Sequence, residues 1–288
     1  MTTATSEAAH QAGERRPSPP AAIDSGYPGT LSSQGCQSPC RKDRRRRSRN
    51  ESHNQVPPFT PLGPAVPDRP LQASEYDRWF DGRWGKYAFG VELGSVLAAV
   101  GPLSPTTRVL DAGCGTGRLA AAIEARGASV VGLDLDRQML DIAVTRTEGH
   151  VIAGDAHRIP CADGIFDCAV AVTLCEFAGR PDEVFAELAR VTRPGGLVLV
   201  GALNPRSSWG LRKWRQLHRP PWSEARFLSA SALIALGRPF GRVSISGSLY
   251  APGPVVGLRI FGPLLERMGR MVPRFGAFQL VAIERSAP

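Results

Sequence analysis

The sequence predicts an α/β fold in which a parallel β-sheet is covered by helices on both faces. Two observations predict it. Strand-like and helix-like runs alternate between residues 107 and 204, as in successive parallel βαβ units. The run GIFDCAVAVTL, residues 164–174, is almost continuously apolar, as expected of a strand buried on both faces. Ligands of such sheets bind beyond the carboxyl ends of the strands, so the residues that follow each strand are candidates for a functional site.

The elements are predicted in this order along the chain. Order is expected to begin near Leu71 with a helical segment, in which Ser74 is a candidate N-cap, Gly82 and Gly85 interrupt the pattern, and residues 92–100 form a firmer helix. The predicted strands are TRVLDAG, ASVVGLDLD, HVIAGDA, GIFDCAVAVTL and GLVLVGALN. The predicted helices between them are GRLAAAIEARG, RQMLDIAVTRT with Asp136 as N-cap, and RPDEVFAELARVTRPGG with Pro181 in its first turn and Gly195 beyond its end.

Residues 1–70 differ in composition from the rest of the chain. They are rich in Pro, Ser, Gly and Arg without apolar periodicity, so we expect a disordered basic tail ahead of one domain over residues 71–288. The run RKDRRRRSR, residues 41–49, contributes to the net charge of +9 and can contact nucleic acid or an anionic membrane. No folded or aromatic frame surrounds it, so a solvated tail is favoured. The absence of a bilayer-spanning run or a signal-peptide pattern favours a cytoplasmic location.

The six cysteines follow neither a disulfide nor a metal-binding pattern. Cys36 and Cys40 lie close together but lack a second ligand pair at zinc-site spacing. The other four lie in apolar segments and are expected to pack as small buried side chains. The sequence therefore predicts no metal site.

A glycine-rich joint, VLDAGCGTGRLA, connects the first strand of the alternating region to its helix. Gly113, Gly115 and Gly117 allow a tight turn and let a ligand lie against bare backbone. A dinucleotide site has the pattern G-x-G-x-x-G with an acid about 20 residues further on. Arg118 stands where the third glycine of that pattern would fall, which disfavours a dinucleotide, whereas Asp134 provides the acid for either class of ligand.

Four blocks of the sequence carry a family resemblance. They are VLDAGCGTG, VVGLDLDRQML, AGDAHRIPCADGIFDCAVA and ELARVTRPGGLVLV. In this order they resemble class I S-adenosylmethionine-dependent methyltransferases, namely the broad group with a methyltransferase type 11 domain that is similar to the ubiquinone and menaquinone biosynthesis C-methyltransferases. The resemblance covers most of residues 76–285. It implies a Rossmann-like, doubly wound sheet of seven strands, mostly parallel, with a C-terminal antiparallel hairpin of GRVSISGSLY and FGAFQLVAIER.

The resemblance also implies S-adenosyl-L-methionine as methyl donor and assigns residues to its methionine and ribose. Gly113, Cys114 and Gly115 would approach both parts of the cofactor. Asp111 would orient the methionyl amino group, directly or through water. Asp134 would accept hydrogen bonds from both ribose hydroxyls, because a carboxylate offers two oxygens to the two donors of a diol.

The adenine end is assigned in the same way. Leu135 would pack on the adenine, and Leu174 belongs to the implied cofactor site. Asp155 would accept a hydrogen bond from the adenine amine, with Ala156 contributing its backbone N–H. The alternative for Asp155 is a turn residue that caps itself; its GDA context favours binding. His157 is expected to be an exposed loop residue.

The residues expected near the methyl acceptor lie after the fourth strand and in the predicted lid helix. Glu176 follows the fourth strand and is either a base or orienting group or, equally, a surface acid beside a helix. Cys175 is expected to pack rather than to act as a nucleophile. The stretch YDRWF resembles the lid helix of these enzymes, in which Tyr76 would close over the sulfonium. Phe80 is expected to pack, and Trp79 is either a lid or a packing residue.

Residues 205–238 resemble the insertion that caps the acceptor pocket in the family. Their arginines and tryptophans suit an anionic acceptor or RNA, and the later run VVGLRIFGPLLERMGRMV is amphipathic and basic enough for a membrane surface. An ordinary core-facing helix is favoured over these. The preferred function is methyl transfer to a small molecule, with neither nucleic acid nor a membrane as partner. A catalytically silent cofactor-binding module and an NAD-dependent oxidoreductase are the alternatives.

Overall fold

The computed structural model describes residues 72–148, 150–208, 210–211, 224–251 and 258–287, with side chains described from residue 261 in the last range. These residues all belong to one compact unit. The predicted tail, residues 1–70, lies outside the described residues. Residue 209 and residues 212–223, the middle of the predicted cap insertion, also lie outside them.

The described residues form one seven-stranded sheet, in the order β3-β2-β1-β4-β5-β7-β6. Its strands are β1 Arg108–Ala112, β2 Ser129–Asp134, β3 Val151–Ala153, β4 Phe166–Val172, β5 Thr192–Leu203, β6 Gly241–Ser248 and β7 Phe278–Arg285. The first five strands are parallel, whereas β7 is antiparallel to both of its neighbours, β5 and β6. This arrangement confirms the predicted α/β sheet with antiparallel C-terminal strands, but β6 and β7 are joined through the helix Leu258–Gly269 and do not form the predicted hairpin.

The helices cover both faces of the sheet. They are α1 Ala73–Asp81, α2 Arg83–Val100, α3 Arg118–Glu124, α4 Arg137–Arg146, α5 Pro181–Val191, α6 Ala230–Gly237 and α7 Leu258–Gly269. One apolar cluster includes Phe185 of α5 and Leu233 of α6, and a second includes Val96 of α2 and Ile123 of α3. Strand β4 contributes to both clusters, as its continuous apolar run predicts. None of the helices described here is long and apolar enough to cross a membrane.

Several predicted helix ends differ from the structure. Ser74 is not an N-cap: α1 begins at Ala73, and its N-cap is Gln72, which makes no side-chain capping bond. Helix α2 already begins at Arg83, because the helical conformation is interrupted only at Gly82 and continues through Gly85. The prediction for Asp136 is confirmed, since its side chain accepts from the backbone N–H of Gln138 at 2.8 Å. The helix predicted over RPDEVFAELARVTRPGG is shorter in the structure. Helix α5 ends at Val191 and β5 begins at Thr192, so the RPGG run belongs to the strand.

The favoured interpretation of the amphipathic run near residue 260 is wrong. The run forms α7, but its large apolar residues Phe261, Leu264 and Met268 are exposed rather than turned to the core. Small residues explain this, because the inward face of α7 approaches Tyr87 at Gly262 and Tyr250 at Gly269. A side chain at either glycine would overlap these rings.

The sheet order also shows where a ligand would lie. Strand β1 is followed by β2 and β3 on one side of it, and β4 and β5 lie on the other. The strand order therefore reverses between β1 and β4. Ligands of open α/β sheets bind at such a reversal, outside the carboxyl ends of the strands. The glycine-rich joint follows β1 at this place.

Candidate functional site

The joint after β1 is a turn whose conformation requires glycine. Gly113, Gly115 and Gly117 have φ values of +72°, +53° and +76°, which L side chains rarely adopt. A Cβ on Gly113 would lie 2.9 Å from Leu174 Cδ1, and one on Gly117 would lie 3.0 Å from Ala143 Cβ. The turn and its packing thus account for all three glycines before any ligand is considered.

The end of β2 holds this turn in place. Asp134 Oδ2 accepts from the backbone N–H of Gly115 at 2.8 Å, and its Oδ1 accepts from that of Asp136 at 2.9 Å. The carbonyl of Leu133 accepts from the N–H groups of Gly113 and Cys114 at 2.7 and 3.0 Å. A carboxylate has about four acceptor positions, so Asp134 retains the capacity to accept from a diol while it holds the turn.

A pocket opens between the glycine turn and α1, lined by residues of α1, α2, the turn and the end of β4. Asp111 lies in its wall and is 1% exposed, and its Oδ2 has no hydrogen-bond partner among the described residues. Burial, followed by the charge of Asp134, raises the pKa of Asp111 to about 7. Buried polar atoms are almost always paired, so this oxygen marks a place for a donor from a ligand.

Two further acids lie near the pocket. Glu176 is 1% exposed; its Oε1 accepts from the N–H of Leu203 at 2.6 Å, and its Oε2 lacks a partner among the described residues. It is therefore not a surface acid, and burial raises its pKa to about 7. Glu92 of α2 lines the pocket, and burial, with the charge of Glu176, raises its pKa to about 8. Sequence reasoning missed Glu92, although a lone acid in the apolar run of α2 was the available signal.

Helix α1 covers the pocket. Tyr76 lines it and approaches the glycine turn, since a Cβ on Gly115 would lie 3.7 Å from its ring. Burial and the surrounding acids, Glu92 foremost, raise the pKa of the Tyr76 hydroxyl. Phe80 packs edge-on against both Tyr76 and Trp79, at 5.1 and 4.9 Å between ring centroids, while Trp79 is half exposed. Tyr76 thus projects from α1 toward the glycine turn, and its assignment as a lid residue remains a prediction.

A cluster of polar bonds around Asp77 fastens α1 to the site. Asp77 Oδ1 accepts from Thr116 Oγ1 and Arg118 Nε, both at 2.7 Å, and Oδ2 accepts from Arg146 Nη2 at 2.9 Å. Burial alone would raise the pKa of Asp77, but the bonds from Arg118 and Arg146 outweigh it and hold the pKa well below its usual value. Sequence reasoning used Arg118 only to judge the glycine pattern and missed this clamp, because its partners are far apart in the chain.

At the predicted adenine end, the structure shows a turn around Asp155. Its Oδ1 accepts from the N–H of His157 at 2.9 Å and is 2.6 Å from His157 Nδ1, which is the self-capping arrangement weighed above. An adenine amine would therefore have to use Oδ2. Leu135, at the end of β2, is 73% exposed, and Ala156 is buried. The assignments of these residues to adenine remain predictions.

The cysteine side chains near the site are packing groups. Cys114 and Cys175 are buried free thiols, and burial raises the pKa of both, that of Cys175 to about 12. A Cβ on Gly132 would lie 2.9 Å from Cys114 Sγ, so the thiol fills the space beside β2. Within the part of the chain that the structure describes, no three metal-ligating side chains come together.

The sheet, the glycine turn and the acids near the carboxyl ends of β1 and β2 are together typical of α/β proteins that bind a nucleoside-containing cofactor where the strand order reverses, here between β1 and β4. Comparison with known proteins narrows that class. A family described as "Methyltransferase domain" matches residues 110–200. A malonyl-[acyl-carrier protein] O-methyltransferase of Serratia marcescens is 36% identical over 113 residues, which are 39% of this chain and 44% of that protein. The chain belongs to the class I S-adenosylmethionine-dependent methyltransferases.

Other matches extend over about three quarters of this chain. An uncharacterized protein of Mycobacterium bovis is 30% identical over 229 residues, 76% of this chain and 77% of that protein. A Thermotoga maritima S-adenosylmethionine-dependent methyltransferase structure is 28% identical with a TM-score of 0.58, covering 73% of this chain and 94% of its own. A geranyl diphosphate C-methyltransferase of Streptomyces coelicolor, 17% identical with a TM-score of 0.52 over 76% of this chain and 86% of its own, shares the fold. The matched segment spans less than half of the Serratia protein.

Proposed function

We propose that this chain transfers the methyl group of S-adenosylmethionine to a small-molecule acceptor. The observation that carries the proposal is the buried, unpartnered Oδ2 of Asp111 in a pocket beside Asp134 and Glu92. Asp111 and Glu92, whose pKa values burial raises, ionise more readily beside a positive charge, and the sulfonium and amino group of this cofactor are both positively charged. Asp111 would accept from the amino group, and Asp134 from the ribose hydroxyls.

When bound, S-adenosylmethionine supplies a methyl carbon that accepts a lone pair while the C–S bonding electrons leave with sulfur. The chain would contribute alignment and exclusion of water, which supply most of the rate enhancement in such a displacement. Tyr76 and the clamped helix α1 would close one side of the pocket. Leu174 packs against Gly113 and fixes the opposite side of the glycine turn.

An acceptor that arrives with a proton on its reacting atom has to lose it. We assign this task to Glu176, which lies buried near the pocket-lining Glu92; burial brings its pKa to about 7, close to the pH at which a general base works best. Glu92, with a pKa raised to about 8 by burial and by Glu176, would hold the proton next to it. The lone pair thus goes from the acceptor to the methyl carbon, and the proton goes to a carboxylate.

The test measures both cofactor binding and turnover. The purified chain is incubated with S-adenosylmethionine and fractionated metabolite pools, and S-adenosylhomocysteine is quantified. We expect release that depends on one fraction and that, at subsaturating S-adenosylmethionine, falls about tenfold to a hundredfold in Asp111→Asn but is kept in Asp141→Asn, a substitution of an exposed acid on α4. Cofactor binding without release in any fraction would instead identify a silent module.

A second titration tests the oxidoreductase alternative. The argument against it is that Arg118 stands where a dinucleotide site has its third glycine. We expect S-adenosylhomocysteine, and not NAD, to raise the melting temperature. A shift with NAD alone would overturn the proposal. Once binding is established, a thermal-shift screen of amines, phenols and carboxylic acids in the presence of S-adenosylhomocysteine identifies the acceptor class.

A further inference from the structure

Helix α7 is amphipathic in an unusual sense, because its polar side faces the protein. Glu266 points inward, where its carboxylate accepts from the Tyr87 hydroxyl at 3.0 Å and from the N–H groups of Leu249 and Tyr250 at 2.9 and 2.8 Å. Gly262 and Gly269 lie on the same face, against aromatic rings. A helix at a protein surface normally turns its apolar stripe to the core, so the outward face of α7 requires a different explanation.

The outward face is an apolar stripe. Its members recur every three or four residues along α7 and continue into the turn after the helix; each is between 48% and 85% exposed. They are Phe261, Leu264, Met268, Met271, Val272 and Phe275. More than half of the large hydrophobic side chains that are exposed in the described part of the chain lie in this one segment. We call residues 258–276 the α7 segment. An exposed patch of this kind marks an interaction surface.

The charges in the α7 segment indicate what covers the stripe. Arg267, Arg270 and Arg274 are exposed beside it, and the only acid in the segment, Glu266, is turned inward and bonded. The surface is therefore apolar and positive. A second copy of the same chain would bring the same arginines against it, and like charges repel. A surface that is both apolar and negatively charged matches the stripe and its arginines.

We propose that the α7 segment docks on the surface of an anionic phospholipid bilayer. The apolar stripe would enter the boundary between headgroups and acyl chains, and the arginines would contact the lipid phosphates, as in helices that lie in the membrane interface. The segment is fixed to the end of β5, because Asn204 Nδ2 donates to the carbonyls of Arg274 and Gly276, both at 2.9 Å. Docking would therefore bring the carboxyl-end edge of the sheet, where the candidate site lies, close to the bilayer.

The proposal is tested by sedimenting the full chain with vesicles. One set contains equal parts of phosphatidylcholine and phosphatidylglycerol, and the other contains phosphatidylcholine alone. Phe261→Gln with Met268→Gln removes apolar contact without changing charge, and the control is Val144→Gln, an exposed apolar residue on α4. Because the basic run at residues 41–49 is unchanged in both, any difference between them belongs to the α7 segment. We expect at least about a tenfold loss of affinity for anionic vesicles in the first and none in the control.

A second pair of variants separates the arginines from general charge. Arg267→Gln with Arg270→Gln should weaken binding to anionic vesicles about 25-fold, since each arginine near an anionic surface contributes about fivefold. Arg126→Gln with Arg238→Gln removes the same charge from exposed positions after α3 and after α6 and should change binding far less. Unaltered S-adenosylhomocysteine binding in calorimetry confirms that each variant is folded.

Three outcomes would overturn the proposal. Equal vesicle binding by the wild type and both α7 variants would show that another part of the chain binds the lipid. A wild type that ignores anionic vesicles would show that the stripe does not dock on them. A wild-type dimer in analytical ultracentrifugation that becomes monomeric in Phe261→Gln with Met268→Gln would assign the stripe to a second copy.

Discussion

Replacing Asp111 with Asn tests two expected effects of this buried acid: it lowers the stability of the folded chain at high pH, and it contributes to binding of the cofactor. The carboxylate is 1% exposed, and burial and the nearby Asp134 raise its pKa from 3.8 to about 7. Between about pH 4 and pH 7, Asp111 therefore keeps its proton in the folded chain, whereas in the unfolded chain it is ionised. The sign follows directly: the unfolded state binds fewer protons in this window, so the free energy of unfolding falls as pH rises through it.

The magnitude follows from the shift. Three pKa units correspond to about 4 kcal/mol, at about 1.4 kcal/mol per unit, so the ionised carboxylate destabilises the folded state by that order at pH 8. An Asn amide is neutral and removes this cost, although its own N–H groups still need partners. We expect Asp111→Asn to be about 1–3 kcal/mol more stable than the wild type at pH 8 and about equal to it at pH 5. Cofactor affinity should fall about tenfold to a hundredfold, the effect of losing one charge-assisted hydrogen bond.

Urea denaturation at pH 5 and pH 8 measures the first effect, and calorimetry with S-adenosylhomocysteine at pH 8 measures the second. Asp141→Asn, exposed on α4, is the control and should change neither. A less stable variant at pH 8 would mean that the backbone hydrogen bond from Ala120 to the carboxylate outweighs the cost of burying its charge. Cofactor affinity equal to that of the wild type would refute the role assigned to Asp111.

Three further substitutions test other parts of the site. Asp134→Ala should weaken S-adenosylhomocysteine binding tenfold to a hundredfold in calorimetry, because it removes the acceptor of the Gly115 N–H and the acceptor proposed for the ribose; unchanged affinity would contradict the proposed role. Gly115→Val should leave the circular dichroism spectrum intact and abolish binding, since a β-branched residue is strained at a φ of +53°; normal binding would show that the turn tolerates a side chain and that no cofactor touches it. Asp77→Asn should free α1 from Arg118 and Arg146 and speed cofactor dissociation about tenfold in stopped-flow measurements, whereas unchanged dissociation would show that α1 is not a lid.

The sheet and its glycine turn were predictable because their signals are local. Alternating apolar runs, a glycine at every second position and an N-cap at Asp136 each act within a few residues, and the structure contains them as expected. The clamp around Asp77 joins residues that are 39 to 69 positions apart, so no local pattern reveals it. Helix α7 was misjudged for a related reason: periodicity identifies an apolar stripe, but only the tertiary packing of Gly262 and Gly269 against two tyrosines decides which way it points.

The position of β7 constrains how this sheet can be assembled. Although β7 is the last strand of the sheet to leave the ribosome, it lies between β5 and β6 and supplies the pairing for both. Until it arrives, β6 has no partner strand, and β5 presents an open edge whose side chains, such as Val198 and Val200, are destined for the core. Such an edge is a template for pairing with other chains. Pairing of β7 therefore completes the described sheet and covers the open edge of β5.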